Sequence, residues 1–262
     1  MLIDFHTHAF PDALAERAIP KLSYASGGLI PHTDGTVSDL RRQMKEQGIA
    51  VSVIMNIATN PRQMHAVNDF AASVIAPDLF PFGSVHPDAP DALDELERIR
   101  DLGLRGVKFH PEYQGFYVDE PRMEPIYRKI SQLGLIVLFH AGCDFGFAAP
   151  YHAMPENMAR ALRFLDTPVV AAHWGGLECG DGVLQHLAGL PLYFDISLGY
   201  GTMPRETACR IVQKHGCDRI LFGSDTPWHS PAEELRFLHT LELSDAERDM
   251  ICCRNAQKLL GL

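Results

Sequence analysis

The sequence has little positive charge and no long hydrophobic run. Lys and Arg number 23 against 33 Asp and Glu, which gives a net charge of -10 at pH 7. Binding to nucleic acid requires a basic stripe, and none is present, so no nucleic-acid partner is expected. No apolar stretch reaches the roughly 18 residues of a membrane span, and no basic segment followed by an apolar one opens the chain. We therefore expect a cytoplasmic protein without a membrane partner.

Paired cysteines and nucleotide-binding motifs are also missing. The six cysteines are irregularly spaced, and no two of them form a C-x-x-C motif. The cysteines are therefore predicted to be reduced thiols. A disulfide framework or a zinc ribbon is not expected. Neither G-x-G-x-x-G nor G-x-x-x-x-G-K-[ST] follows an apolar run, so the phosphate cradle of nucleotide-binding sheets is lacking. The expected partner is a small-molecule substrate other than a nucleotide.

Eight short runs rich in β-branched and aliphatic residues are spread along the chain. Their length and composition predict strands. Helical patterns lie between most of them, as in residues 91–102, where Leu93, Leu96, Ile99 and Leu102 recur at helical spacing. The predicted strands are Leu2–His8, Ile49–Ile57, Leu79–His86, Leu104–His110, Leu135–His140, Pro168–His173, Leu192–Ser197 and Arg219–Asp225.

Glycine and proline mark the ends of the predicted helices. A glycine past a helix end adopts the left-handed conformation without steric cost, which stops the helix and turns the chain. Proline is favoured in a first helical turn. The predicted stops are Gly48, Gly103, Gly134 and Gly216, and the predicted starts are Asn60-Pro61, Glu120-Pro121 and Ser230-Pro231.

This alternation of strand and helix predicts an α/β fold. Near-continuous apolar strands separated by single helices indicate a parallel sheet covered on both faces, and eight such units favour a (β/α)8 TIM barrel over an open sheet. No linker or shift in composition divides the chain, so a single domain over residues 1–262 is predicted. The loops after strands 1 and 5, residues 9–35 and 141–155, are longer than a barrel needs.

Polar residues lie at the ends of six of the eight predicted strands. In a parallel barrel these ends meet at one mouth. His6 and His8 share a face of the first strand, because side chains alternate along a strand. Two such histidines, a third from strand five and a carboxylate from strand eight suit Zn²⁺; Mn²⁺, Fe²⁺, Co²⁺ or Ni²⁺ would also fit. The strand-end groups are His6, His8, His86, Lys108, His110, His140, His173 and Asp225.

The order of these groups resembles the amidohydrolase superfamily. The series that carries the resemblance is His6-x-His8, His140, His173 and Gly223-Ser224-Asp225. More narrowly, the chain resembles the amidohydrolase-related group that includes the aminocarboxymuconate-semialdehyde decarboxylases and related metal-dependent hydrolases. The resemblance spans almost the whole chain, including Gly106–Pro111, Gly223–Trp228 and Asn255–Leu260.

The resemblance implies a divalent metal ion, one per chain in preference to two, and roles for the residues around it. The implied ligands are His6, His8, His140 and Asp225. His173 would lie beside a bound water and handle a proton or stabilise the transition state, or else become a ligand. Asp225 would ligate the metal or take the proton of the water, so His173 and Asp225 are the predicted catalytic residues.

Lys108 has three open roles. In binuclear members of the superfamily a lysine of strand four is carboxylated and bridges two metals. In mononuclear members a lysine in a similar setting faces the substrate as a cation. The third role is structural, an ion pair with a buried acid such as Asp4 or Asp195. A substrate or structural role is favoured over bridging.

Three further residues are predicted to contact substrate, each with an alternative. His110 shares its strand face with Lys108 but is equally compatible with the rim of a loop. Trp174 and Trp228 follow mouth-forming strands and are placed to stack on a planar substrate. Packing beneath a loop is the alternative for both tryptophans.

The expected activity is that of a metal-dependent hydrolase in which an activated water attacks an ester, lactone or amide carbon of a small organic substrate. The alternative is a non-oxidative decarboxylase or hydratase acting on an unsaturated or aromatic carboxylic acid. A third possibility is a catalytically dead relative that only binds metal or ligand. It is disfavoured because every expected polar position is filled. Exposed barrel helices could support a homodimer.

Overall fold

The structure, a computed structural model, describes residues 1–262 and contains eight strands. Each lies within one of the eight runs predicted from the sequence. The strands are β1 Leu2–Thr7, β2 Ile49–Met55, β3 Leu79–Phe82, β4 Gly106–Phe109, β5 Ile136–Phe139, β6 Val169–Ala171, β7 Tyr193–Asp195 and β8 Ile220–Leu221.

Twelve α-helices lie between the strands and after the last of them. A π-helix over Met250–Arg254 precedes the last of them. The helices are α1 Asp12–Ala25, α2 Val37–Gln47, α3 Met64–Ser73, α4 Ala92–Asp101, α5 Pro111–Gln114, α6 Glu124–Gln132, α7 Pro155–Ala161, α8 Gly180–His186, α9 Arg205–His215, α10 Pro231–Thr240, α11 Asp245–Asp249 and α12 Asn255–Leu260.

The strands form two parallel sheets that meet at two seams. One sheet has the order β1-β2-β3 and the other β4-β5-β6-β7-β8. At the first seam Gly83 bridges Val107, and at the second Thr7 bridges Thr226. Backbone hydrogen bonds cross both seams, including Lys108 N to Gly83 O at 2.8 Å and Phe5 N to Phe222 O at 2.8 Å. The predicted α/β barrel architecture is confirmed, although single bridges take the place of ladders at the two seams.

All eight strands end earlier than predicted, by one residue at β1, β4 and β5, by two at β2, β6 and β7, and by four at β3 and β8. His173 and Asp225 have φ angles of 58° and 68°, which lie in the left-handed region and cannot continue a strand. A non-glycine residue held in this region is strained, and such strain concentrates at functional sites. His6 and Lys108 therefore lie within β1 and β4, and the other polar groups lie on loops beyond the strands: His8, His86, His110, His140, His173 and Asp225.

The predicted helix stops share a positive φ, although Gly216, with a ψ of 137°, lies outside the left-handed helical region that was expected. Gly48, Gly103, Gly134 and Gly216 all have positive φ, between 66° and 92°. Pro231 begins α10 as predicted, whereas Pro61 and Pro121 begin short 3-10 helices that lead into α3 and α6. The long loop after β1 contains α1, and the loop after β5 has no helix before α7.

The two faces of β4 and β5 have different neighbours. Val107 and Phe109 of β4 and Val137 and Phe139 of β5 belong to the large apolar core that includes α4 and α6. Lys108 and His140 have the opposite parity, so they point away from those helices. No helix of this fold is long and apolar enough to cross a membrane.

Candidate metal centre

His6, His8 and Asp225 meet where β1 and β8 end. Asp225 Oδ1 lies 3.2 Å from His6 Nε2 and 3.1 Å from His8 Nε2. All three side chains are buried, with the residues between 0% and 8% exposed. This group of potential metal ligands has all its donor atoms within 4.8 Å of one another.

In each of the two histidine rings, the hydrogen-bond partner of Nδ1 determines whether Nε2 carries a hydrogen or a lone pair. His8 Nδ1 lies 2.9 Å from the carbonyl of Met55, and His6 Nδ1 lies 2.9 Å from Asp195 Oδ2. A carbonyl and a carboxylate only accept hydrogen bonds, so both Nδ1 atoms donate, and in the neutral form of each ring Nε2 carries a lone pair. Two lone pairs therefore face the Asp225 carboxylate with no hydrogen between them, and a cation resolves that repulsion. The residues fit a divalent metal ion.

Asp4 and Ser224 hold the two strands together behind these ligands. Asp4 is fully buried and accepts hydrogen bonds from Ser224 N at 2.9 Å, Ser224 Oγ at 2.6 Å and His6 N at 3.2 Å. Burial raises the pKa of its carboxyl to about 7, against the lowering effect of these bonds. The pairing places His6 beside Asp225.

His173 is oriented through Ser197. Its Nδ1 lies 2.8 Å from Ser197 Oγ, and the Ser197 hydroxyl in turn donates to Asp195 Oδ1. His173 therefore donates from Nδ1 and carries a lone pair on Nε2. Burial lowers the pKa of both His173 and His6 well below the usual range, so both rings are neutral. Asp195 thus positions His6 directly and His173 through Ser197.

His140 lies beside this group and not inside it. Its Nε2 donates to the carbonyl of Cys143 at 2.9 Å, which leaves a lone pair on Nδ1. That Nδ1 lies 3.1 Å from His173 Nε2, which also carries a lone pair. The structure thus brings three of the four predicted ligands together and places the fourth against His173, with its free nitrogen turned the same way.

Lys108 has no carboxylate oxygen within 4.0 Å of Nζ, so the structure contains no ion pair with Asp4 or Asp195. The ammonium lies 3.3 Å from His6 Nε2 and the residue is 1% exposed. Burial lowers its pKa to about 8, and the charges of Asp225, Asp195 and Asp144 offset part of that shift. The side chain is a buried cation at the edge of the metal centre.

His110 stacks on His140, with ring centroids 4.2 Å apart and planes 11° apart. Its Nε2 lies 3.2 Å from Asp144 Oδ2, and burial lowers its pKa to about 3. Asp144 Oδ2 is also 3.7 Å from His140 Nε2. Sequence reasoning missed Asp144, although its position four residues after His140 was a signal that could have been used.

The two tryptophans occupy different positions. Trp174 is 1% exposed and packs edge-to-face on Phe237, with centroids 5.9 Å apart. The structure therefore places it in the core and does not bring it to the mouth, in accord with the packing alternative. Trp228 is half-buried, and its backbone N–H donates to Asp225 O at 2.8 Å. Of the two, only Trp228 lies beside the metal centre.

Many solved structures resemble the fold of this chain, among them the following three. A TIM-barrel protein of Bordetella bronchiseptica is 23% identical, with a TM-score of 0.78 and 99% and 98% of the two chains covered. A Pseudomonas putida protein provisionally assigned as a 2-pyrone-4,6-dicarboxylic acid hydrolase is 18% identical, with a TM-score of 0.67 and coverage of 99% and 97%. A dihydroxybenzoic acid decarboxylase of a Polaromonas species, with bound manganese and 2-nitroresorcinol, is 19% identical, with a TM-score of 0.72 and coverage of 100% and 97%.

The family was also identified from the sequence. Comparison with curated proteins found no match. A family model described as amidohydrolase matches residues 3–262, which confirms the resemblance drawn from the strand-end residues. Because the match covers nearly the whole chain, this protein belongs to the amidohydrolase family and is an enzyme of the amidohydrolase superfamily.

Proposed function

We propose that this enzyme is a metal-dependent hydrolase that cleaves an ester, lactone or amide bond of a small organic molecule. The observation that carries the proposal is the convergence of His6 Nε2, His8 Nε2 and Asp225 Oδ1 with no hydrogen between them. Enzymes of this superfamily depend on divalent metals. Two imidazoles and a carboxylate suit Zn²⁺ first, and Mn²⁺, Fe²⁺, Co²⁺ or Ni²⁺ next.

The chain would hold one such ion with His6, His8 and Asp225, and His140 Nδ1 is the fourth candidate. A divalent ion in such a site supplies a Lewis acid and lowers the pKa of water in its coordination sphere to about 7. Lys108 Nζ, which lies 3.3 Å from His6 Nε2, would be a neighbour of such an ion. One ion per chain leaves this lysine uncarboxylated and available to an anionic part of the substrate.

The residues around the centre are suited to removing a proton from water. Asp225 offers carboxylate oxygens, and His173 Nε2 carries a lone pair because its Nδ1 is engaged with Ser197. Both groups are therefore acceptors when substrate binds. Asp195 keeps His6 and His173 in the required tautomers throughout, since it receives hydrogen bonds from His6 and Ser197.

Decarboxylation or hydration of an unsaturated or aromatic carboxylic acid is the second candidate. It is favoured by Lys108, a buried ammonium without a carboxylate partner inside 4.0 Å. A buried charge without a partner is costly, and a substrate carboxylate would relieve that cost. His173 would then move a proton to or from carbon.

The test begins with metal analysis of the purified enzyme, followed by removal and restoration of the metal. A panel of lactones, esters, amides and aromatic acids is assayed at each stage. We expect restored enzyme to hydrolyse members of the first three groups, and His6→Ala to lose both metal and activity. The matched control is His239→Ala, which removes an exposed histidine of α10.

Two results would contradict the proposal. A chain that binds no divalent metal, with His6→Ala as active as the unaltered enzyme, would remove the assigned site. Carbon dioxide release from an acid, without turnover of any lactone, ester or amide, would replace hydrolysis by the second candidate. A metal content near two per chain with a carboxylated Lys108 would exclude the mononuclear form.

Three other expectations remain predictions: a small-molecule substrate, a homodimer and a cytoplasmic location.

A further inference from the structure

Three sulfur atoms lie together outside the metal centre, where the loops after β5 and β6 meet. Cys143 Sγ lies 3.8 Å from Cys179 Sγ, and Cys179 Sγ lies 4.0 Å from the Sδ of Met154. We propose that Cys143, Cys179 and Met154 form a second metal site, which binds a single thiophilic monovalent cation, copper(I). The proposal does not depend on the proposed hydrolase activity.

The distances from Cys179 Sγ to the other two sulfurs match those between ligands that share one ion. A metal–sulfur bond is about 2.3 Å long, so two ligands at trigonal or tetrahedral angles lie about 3.8–4.0 Å apart. Both measured distances fall in that interval. A disulfide would need an S–S distance of about 2.05 Å, so Cys143 and Cys179 are two free thiols.

The surroundings favour a soft cation. Two thiols and a thioether are soft donors, which select copper(I) over hard divalent ions. The sulfurs line a cavity of about 550 Å³ whose wall includes the carboxylates of Glu156, Glu178 and Asp181 and no Lys, Arg or His. The carboxylates attract a cation and repel anions. All three sulfur-bearing residues are half-buried, so an ion from solvent can reach them.

The backbone preforms this arrangement around Gly142. Gly142 N donates to Ala153 O at 2.9 Å, and Cys143 N donates to Leu177 O at 3.0 Å. The segments that carry the three sulfurs are thereby joined before any ion binds. Gly142 has a φ of 84°, and a Cβ there would overlap the backbone of Leu177, so only glycine permits the close approach. A preformed site loses little conformational entropy on binding.

A redox disulfide is the competing use of two neighbouring cysteines. Thiols that oxidise readily have a low pKa and an electropositive environment. Burial instead raises the pKa of the Cys179 thiol to about 12, and the cavity is acidic. A thiol of this kind is a poor nucleophile, whereas a bound metal ion displaces its proton.

The experiment uses the full chain, reduced and free of oxygen, titrated into the copper(I)–bicinchoninate complex, whose absorbance falls as copper leaves it. We expect Cys143→Ser and Cys179→Ser each to bind one equivalent less copper(I) than the unaltered protein. Cys209→Ser, which removes another half-buried free thiol, should bind as much as the unaltered protein. His6→Ala should keep the sulfur-dependent equivalent, which separates this site from the proposed divalent centre.

Two further measurements complete the test. Met154→Leu keeps both thiols and nearly the same side-chain volume. Loss of a residue that only supports a ligand lowers metal affinity roughly 10–100-fold, so we expect loss of the Met154 sulfur to lower copper(I) affinity at least as much. It tests the site even where a serine variant fails to fold. Bound copper(I) should protect Cys143 and Cys179, and not Cys209, from iodoacetamide in mass spectra. Equal copper binding by both serine variants, or a Cys143–Cys179 disulfide in protein whose thiols were blocked at lysis, would overturn the proposal.

Discussion

At the scale of single residues, the hydrogen-bond partner of one ring nitrogen decides whether the other nitrogen of each histidine carries a lone pair. His8 is fixed by a carbonyl of β2, His140 by the carbonyl of Cys143, and His6 by Asp195. The sequence identifies the rings but not these partners, because each partner lies on another segment of the chain or in a loop. The resulting tautomers present lone pairs to one another and to Asp225, an arrangement of histidines that fits a metal ion.

Asp195→Asn tests this control of tautomer. The amide can turn an N–H group toward His6 Nδ1, which moves the ring proton to Nε2, where the metal would bind. We expect the affinity for Zn²⁺ to fall roughly 10–100-fold, as for other partners of metal ligands. A competition titration against a zinc chelator measures the change. The control is Asp218→Asn, at an exposed site, and equal affinities in the two variants would mean that Asp195 does not set the tautomer.

At the scale of elements, the loops beyond the strands organise the mouth. The segment after β5 is joined to two neighbours by backbone hydrogen bonds at Gly142, and it carries both the carbonyl that fixes His140 and the carboxylate of Asp144. The sequence predicts that this loop is long. It does not indicate how the loop is held, because the hydrogen bonds are made to residues 153 and 177.

Gly142→Ala should destabilise the protein more than Gly134→Ala. Both glycines have positive φ, 84° and 66°, so each alanine carries the left-handed cost of about 1–2 kcal/mol. At Gly134 no atom lies within 4 Å of the added Cβ, whereas at Gly142 the backbone of Leu177 must move. We expect a loss of roughly 2–4 kcal/mol at Gly142. Urea unfolding curves measure both, and equal losses would show that the close approach is not needed.

At the scale of the whole molecule, Glu234 of α10 joins two loops, through an ion pair with His229 in the loop after β8 and through hydrogen bonds from the loop after β7. His229 Nδ1 lies 2.6 Å from Glu234 Oε1, close enough for an ion pair, although the angles are not those of a hydrogen bond. The backbone N–H groups of Gly199 and Tyr200 also donate to Glu234. Burial raises the pKa of the Glu234 carboxyl to about 7, although His229 and these bonds lower it.

The burial of Glu234 should make the protein more stable in mild acid than at neutral pH. The folded Glu234 binds its proton more tightly than the unfolded residue, whose pKa is 4.5, so the free energy of unfolding falls as pH rises from about 4.5 to about 7. The pKa of His229 is also raised, because Glu234 outweighs the effect of burial, and its contribution has the same sign. Glu234→Gln should flatten the dependence in urea unfolding between pH 5 and pH 8, and Glu206→Gln, at an exposed site, should not. A dependence unchanged by Glu234→Gln would contradict the assignment.

The sequence alone determined the elements and the family. Apolar runs of strand length, glycines past helix ends and the alternation of strand with helix led to the barrel, because these signals are local and depend on backbone sterics and side-chain periodicity. His6 and His8 could be placed on one face for the same reason. The strand ends were overestimated, since the left-handed backbone of His173 and Asp225 stops a strand and has no signal in the local pattern of apolar residues.

Only the tertiary structure decided which polar groups meet. Trp174 looked as well placed for substrate as Trp228, but packing on Phe237 buries it. Lys108 has no acid partner, and Asp144 joins His110 and His140. These outcomes depend on distances between residues far apart in the chain, and they are set by how the loops pack over the barrel mouth. Spacing along a sequence gives the identity of the groups at a strand end, while packing sets the direction of each lone pair and proton.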